Sequence, residues 1–304
     1  MKIKMYCHND LDGVGGPIIA GHVFGQENVN FELCNYTEIN QKVKDFILSP
    51  EIEKYDHVFI TDISVNEEVA RLIEGVEGVQ YGMFQLIDHH STAEWLNKYD
   101  WAEVHEIDEA GKKTSGTSLF YNWLVVNDYY DGDMLLEDFA ELVRSYDSWD
   151  WTVTNNQHAK RLNDLLFILG HSKFLKRFAE NMNPNFTEAE TLLLDIEEEK
   201  IEKYIESKGK TMYRDVFNGD TAGVVFAEQY ISQLGNKLSE LNPDLDYIVI
   251  INPAKGLVSY RTIHQHVNVA EVAKKNGGGG HPQASGSAYD VAYNKELVCR
   301  VFGV

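Results

Sequence analysis

Cysteine, positive charge and long apolar runs are all in short supply in this chain. Three cysteines, Cys7, Cys34 and Cys299, stand far apart among 304 residues. An odd, scattered set excludes a disulfide framework and a zinc knuckle, and reads as thiols kept reduced in a cytoplasm. No apolar stretch approaches the ~20 residues that a membrane-spanning helix needs, so no membrane association is expected. The opening MKIKMYCHND has no apolar core, and no signal peptide is expected there. Lysine and arginine number 27 against 48 aspartates and glutamates, for a net charge of −21. A protein gripping a long polyanion needs a basic stripe, and none is visible.

The acidity is uneven. Residues 1–199 hold 37 of the acidic side chains against 15 basic ones, whereas residues 200–304 are nearly balanced at 11 against 12. An acidic half of this kind suits divalent cations, which reverse the local field. An anionic substrate would then be small, and held through metal and a few placed cations.

Hydrophobic content of 43% is enough for a large core. Short apolar runs at 2–7, 29–34, 56–61 and 83–87 read as strands. Helical patterns at 14–24, with Pro17 in the first turn, at 41–48 and at 66–74 alternate with them. Strands alternating with helices predict a parallel sheet covered on both faces. From residue 114 the pattern turns helical, at 117–126, 135–144, 163–168 and 172–180, until Pro184 breaks it. Residues 187–210 form one long charge-laced helix, as expected of a connector. Strands are then expected at 213–217, 222–227, 247–251, 257–262 and 297–302, with helices at 229–241 and 269–275. The fold class expected is α/β, in three parts. Residues 1–186 make a parallel-sheet domain, 187–210 a linker helix, and 211–304 a smaller α/β domain with a mixed sheet.

Three of the expected strands end in metal-binding or proton-binding side chains. They are His8, Asp10 and Asp12 after the first, Asp62 after the third, and Asp88, His89 and His90 after the fourth. In a parallel sheet all carboxyl ends lie on one edge, where ligands bind. Each group taken alone also reads as a turn, a helix cap or a surface cluster. Taken together they predict a crevice for two divalent ions, about 3.5–4 Å apart, as in phosphoryl-transfer sites. Mixed carboxylate and imidazole ligands favour manganese, with magnesium or cobalt as alternatives. Asp62, alone on a central strand, suits a bridging role. Gly277 to Gly280 run directly into His281, and close backbone approach to a phosphate is one use of such a run. Arg261, at the end of an expected strand, is placed to clamp a phosphate with its fork of donors, with His264 beside it. Trp149 and Trp151 read as lining or core residues, or as platforms for bases.

The motifs HNDLDG, ITD, DHH, YDSWD and GGGGHPQASG, in that order from residue 8 to 286, resemble the DHH phosphoesterase superfamily. They are most similar to members with a C-terminal DHH-associated domain marked by a GGGH motif, and within these to the NrnB type of oligoribonuclease (nano-RNase). The resemblance implies a DHH catalytic domain and two metal ions. It implies Asp10 as a ligand of the first ion, Asp12 and His89 as ligands of the second, and Asp62 as the bridge and a catalytic residue. His90 becomes a catalytic contact to phosphate. Asp147 becomes the last ligand, with Asp150 its rival in the same window. His8 stands two residues before Asp10, where the family often has a histidine four before. It either ligates from a different position or supports the site. Gly278, Gly279, Gly280, His281, Arg261 and His264 take substrate in the second domain, across a cleft.

The activity so implied is manganese-dependent hydrolysis of short oligoribonucleotides or linear dinucleotides to mononucleotides, by a cytoplasmic exonuclease. Two rivals stand beside it. One is a phosphodiesterase for cyclic dinucleotides or a pAp-like ester, and the other a silent nucleotide-binding module. A dinucleotide-dependent oxidoreductase is disfavoured, because Gly13-Val14-Gly15-Gly16 lacks the full glycine fingerprint. The oligomeric state stays open.

Overall fold

The computed structural model describes residues 1–217 and 219–303, apart from the side chain of Leu297. It divides into two compact units, Met1–Leu194 and Asp195–Val304.

The first unit is built on five parallel strands, in the order β2-β1-β3-β4-β5. These are β1 (Ile3–His8), β2 (Val29–Cys34), β3 (His57–Thr61), β4 (Phe84–Asp88) and β5 (Ala102–Val104). Between them run α1 (Leu11–Phe24), α2 (Ile39–Ile47) and α3 (Glu67–Glu77). After them come α4 (Gly116–Val126), α5 (Met134–Asp147), α6 (Asp150–Thr154) and α7 (Gln157–Glu180). Strand side chains alternate between two apolar layers, as the period of two requires. Ile3, Met5, Cys7, Phe59 and Ile87 enter the layer shared with α1, α4, α5 and α7. Tyr6, Val58, Ile60, Phe84 and Leu86 enter the opposite one, with α2 and α3. A sheet buried on both faces explains why these strands are apolar runs rather than alternating ones.

Several details differ from the sequence expectation. α1 starts three residues early, at Leu11, because the Asp10 side chain caps it by accepting from Gly13 N. Pro17 therefore lies inside the helix and removes one hydrogen bond there. The short patterns at 163–168 and 172–180 belong to one stretch, α7, broken at Gly170 with φ 71°. β5 was not anticipated, since three residues are too few to show a period.

The second unit contains β6 (Tyr213–Phe217), β7 (Asp220–Phe226), α9 (Ile231–Leu241), β8 (Tyr247–Asn252), β9 (Leu257–Arg261) and α10 (Val269–Lys275). It ends with β10 (Gly279–Gly280), β11 (Ala284–Ala288) and α11 (Ala292–Phe302). Its mixed sheet runs β10-β11-β9-β8-β7-β6, with β7 and β8 parallel and the other pairs antiparallel. The long helix α8 (Glu188–Lys210) contributes Leu194 to the core of the first unit and Ile205 to that of the second.

One expectation is corrected here. The segment 297–302, expected as a strand, lies in helix α11. Its charges sit at helical spacing, and Glu296 pairs with Arg300 one turn on. The glycine run forms half of a tight hairpin, with Gly279 opposite Gly286 and Gly280 opposite Ser285.

Candidate metal centre

Register places the predicted strand ends level with one another. Thr61 on β3 pairs with Cys7 on β1 and with Ile87 on β4. The next residues along, His8, Asp62 and Asp88, therefore emerge together at the carboxyl edge of the sheet. Asp62 breaks from its strand with φ 59°, a left-handed conformation uncommon for a residue with a side chain. Its amide still reaches Ile87 O at 3.0 Å.

Two glycines let the surrounding elements close on this edge. A Cβ on Gly13 would lie 2.1 Å from His8 O, so only glycine allows β1 to turn so sharply into α1. A Cβ on Gly116 would lie 2.6 Å from Asp62 Cβ, so only glycine lets the start of α4 press against this carboxylate. That helix start also holds Asp12. The Gly116 amide donates to Oδ2 at 2.6 Å and the Thr117 amide to Oδ1 at 2.8 Å. A buried carboxylate is satisfied this way, by amides that a helix leaves without partners at its first turn.

Three groups of side chains offer ligand atoms that all lie within 4.8 Å of one another: His8, Asp10 and Asp62; Asp12, His89 and Asp147; and Asp62, Asp88, His89 and His90. Asp62 stands between the first two. Its Oδ2 lies 3.7 Å from His8 Nδ1, and its Oδ1 lies 3.2 Å from His89 Nε2. His89 Nε2 is in turn 3.6 Å from Asp12 Oδ2 and 3.5 Å from Asp147 Oδ2. Buried and without hydrogen-bond partners are His8 Nδ1 and Asp62 Oδ2, although the former lies 2.8 Å from Asp10 Oδ2. Such orphaned buried atoms are costly unless something else holds them.

Charge points the same way. Burial, then the neighbouring charges of Asp12, Asp10 and Asp147, pushes the Asp62 carboxyl well above the ordinary range. Burial, then Asp12 and Asp10, pushes Asp147 up to about 8. Carboxylates packed this closely cannot all ionise without a cation among them. The donor set of carboxylate oxygen and imidazole nitrogen fits divalent transition ions.

His90 has a different part. Its Nδ1 contacts Asp88 Oδ1 at 2.7 Å, and its Nε2 lies 3.5 Å from the Tyr36 hydroxyl. The hydrogen bond to Asp88 raises the imidazole pKa. Burial opposes the charge of Asp88, but His90, Ser64 and the His89 amide hold its pKa below the usual value. Asp88 thus clamps His90 rather than presenting a free ligand, and Ser64 donates to its second oxygen. The sequence places Asp88 at this edge without assigning it to His90; Ser64, Tyr36 and the two α4 amides carried no signal in the sequence.

Asp147, on the last turn of α5, reaches the cluster. Its rival Asp150 does not, being tied to Arg144 Nη1 at 2.8 Å. In the second unit Arg261 ends β9 opposite Ala284, beside the glycine hairpin. Its donors go to Tyr260 O, Ser285 O and Ser232 Oγ, and no carboxylate pairs with it among the described residues. His264 Nε2 meets Leu245 O at 3.1 Å. The amides of Gly277, Gly278 and His281 are all bonded within the unit. A Cβ on Gly278 would lie 2.1 Å from Gly286 O, so that glycine serves close packing in the hairpin.

No family model matches the chain. Over 99% of its length it is 41% identical to the oligoribonuclease NrnB of Bacillus subtilis, of which it spans 76%. The exonuclease RecJ bound to manganese superposes with a TM-score of 0.58 at 15% identity, covering 99% of this chain and 89% of that one. A pGpG-specific phosphodiesterase of Vibrio cholerae, PggH, superposes with a TM-score of 0.56 at 12% identity, covering 99% and 97%. At such identities the two structures speak for the fold.

Proposed function

The chain belongs to the DHH phosphoesterases, in the family of the oligoribonuclease NrnB, and from that premise we propose that it hydrolyses short oligoribonucleotides and linear dinucleotides to mononucleotides with two divalent ions. The observation that carries this reading is the placement of Asp62, whose two oxygens turn toward two separate ligand sets. His8, Asp10 and Asp62 would hold one ion; Asp12, His89, Asp147 and Asp62 the other. Manganese is the ion assigned, with magnesium or cobalt able to replace it. When bound, the pair of cations acidifies a water and neutralises charge on the phosphate oxygens.

The protein's own groups do the remaining work. Asp88 raises the pKa of His90, which favours the protonated ring and so Nε2 as a donor to a non-bridging phosphate oxygen. The Gly116 and Thr117 amides hold Asp12 in one orientation, so the site is organised before substrate arrives. We assign residues 1–186 as the catalytic domain, 187–210 as the connecting helix and 211–304 as the substrate-binding domain. There Arg261, a half-buried guanidinium with no acidic partner among the described residues, is the phosphate clamp, with His281, His264 and Gly278, Gly279 and Gly280 around it. Burial lowers the pKa of Arg261, which an anionic ligand would offset.

The test is side-by-side turnover of pApA, a five-residue RNA, cyclic di-AMP and 3′-phosphoadenosine 5′-phosphate, with manganese. The two linear oligonucleotides should be cleaved at least tenfold faster than the others. Preference for either of the others would overturn the substrate assignment, and no turnover of any would overturn the activity. No described helix is long and apolar enough to cross a membrane.

A further inference from the structure

Asp147 is followed two residues later by a tryptophan in an unusual state. Trp149 has φ 65°, in the left-handed region that bulky side chains seldom adopt. Its ring is 61% exposed. Neither feature helps the fold, because an exposed indole buries little and a left-handed backbone adds strain. Strain that packing does not need is a pointer to function.

The ring is also not isolated. Trp149 stacks on Trp151 with centroids 6.2 Å apart and planes at 30°. Trp151 stacks on Tyr146 at 6.1 Å and 18°. Tyr146 directly precedes Asp147 on the last turn of α5. The result is an aromatic ladder that starts beside a candidate metal ligand and ends in solvent. The backbone holds the outer ring in place. Trp149 N donates to Tyr146 O at 3.2 Å, and Trp149 O accepts from Thr152 N at 3.1 Å and from Thr152 Oγ1 at 2.8 Å.

We propose that the exposed face of Trp149 is the platform on which a nucleobase of the substrate stacks while its phosphate lies at the acidic cluster. The inference rests on the oligonucleotide reading above and adds a base subsite to it. Trp149 lies two positions after Asp147, so their Cα atoms are at most ~8 Å apart. That suits a base and a phosphate joined through one ribose. Every base has a flat apolar face, so a stacking platform grips all four and reads none strongly.

The experiment compares pApA with its counterpart in which hydrogen replaces both bases. In the wild type, kcat/KM should favour pApA. In Trp149→Ala this preference should shrink by about tenfold, chiefly through KM, since one base stack is worth roughly that factor. Trp149→Phe should keep most of it. Trp149→Gly should lose it while holding or raising the melting temperature, because glycine takes φ 65° without strain. A readout without turnover is the quenching of tryptophan fluorescence by AMP in metal-free protein, which Trp149→Phe should largely remove. Full preference for pApA in both the alanine and glycine variants would overturn the platform while leaving the oligonucleotide reading intact. A wild-type chain that neither binds AMP nor cleaves pApA would overturn both.

Discussion

Titrating the metal-free protein with manganese should expel protons, and the number can be worked from the cluster. Asp147 is pushed up to about 8 by burial and by the charges of Asp12 and Asp10. At pH 7 such a group holds about 0.9 of a proton, and at pH 9 about 0.1. Asp62 is raised well above its ordinary value by burial and by the charges of Asp12, Asp10 and Asp147, so it shifts the release in the same direction. Ligands must be deprotonated to hold a cation, so these protons leave as the metals enter. About 0.9 of a proton should therefore leave Asp147 per chain at pH 7, falling by roughly 0.8 by pH 9, with any share from Asp62 added to it. The protons belong to the coupled cluster, so the count is a property of the group. Calorimetric titration in two buffers of different ionisation enthalpy reads the number directly. Asp147→Asn should lower the release at pH 7 by about 0.9, whereas Asp150→Asn should leave it unchanged. A release near zero at pH 7, or one that does not vary between pH 7 and 9, would refute the reasoning. It would mean that these carboxylates are already ionised in the free protein and do not await a cation.

Other expectations follow from the same geometry. For Asp62 and Asp147 the folded-state pKa lies above the unfolded one. The folded state therefore binds more protons, and the metal-free protein should lose stability as pH rises from about 4 through about 8. Saturating manganese should flatten that slope, as melting temperatures across the range would show. Asp62→Asn should reduce turnover of pApA by at least about a thousandfold while the metal-free protein keeps its melting temperature, since the amide matches the neutral carboxyl that burial favours there; retained activity would contradict the bridging role. Gly116→Ala drives a methyl group to 2.6 Å from Asp62 Cβ. It should cost about 1–3 kcal/mol in denaturant unfolding and weaken manganese binding in the same variant. Arg261→Ala should raise KM for pApA about tenfold or more, with a smaller change in kcat; a changed kcat at constant KM would place Arg261 outside substrate binding.

What the linear order of residues settled is the kind of fold and the kind of chemistry. Apolar runs of strand length alternating with helical patterns can bury both faces only as a covered parallel sheet. Strands that end in Asp62 and in Asp88, His89 and His90 place metal-binding groups on one edge of that sheet. Local sequence was less able to place boundaries and hairpins. The segment 297–302 is apolar enough for a strand, yet its charges pair along a helix, and the glycine run closes on Gly286 and Ser285, residues that only pairing brings near. Tertiary structure alone decided which carboxylates come together. Asp147 and Asp150 sit one turn apart in the same window, and Arg144 draws one of them away. The two oxygens of Asp62 face different neighbours because the register of β1, β3 and β4 is level and Gly116 leaves room. Such distances depend on side chains as far apart in sequence as Asp12 and Asp147, and no local pattern encodes them.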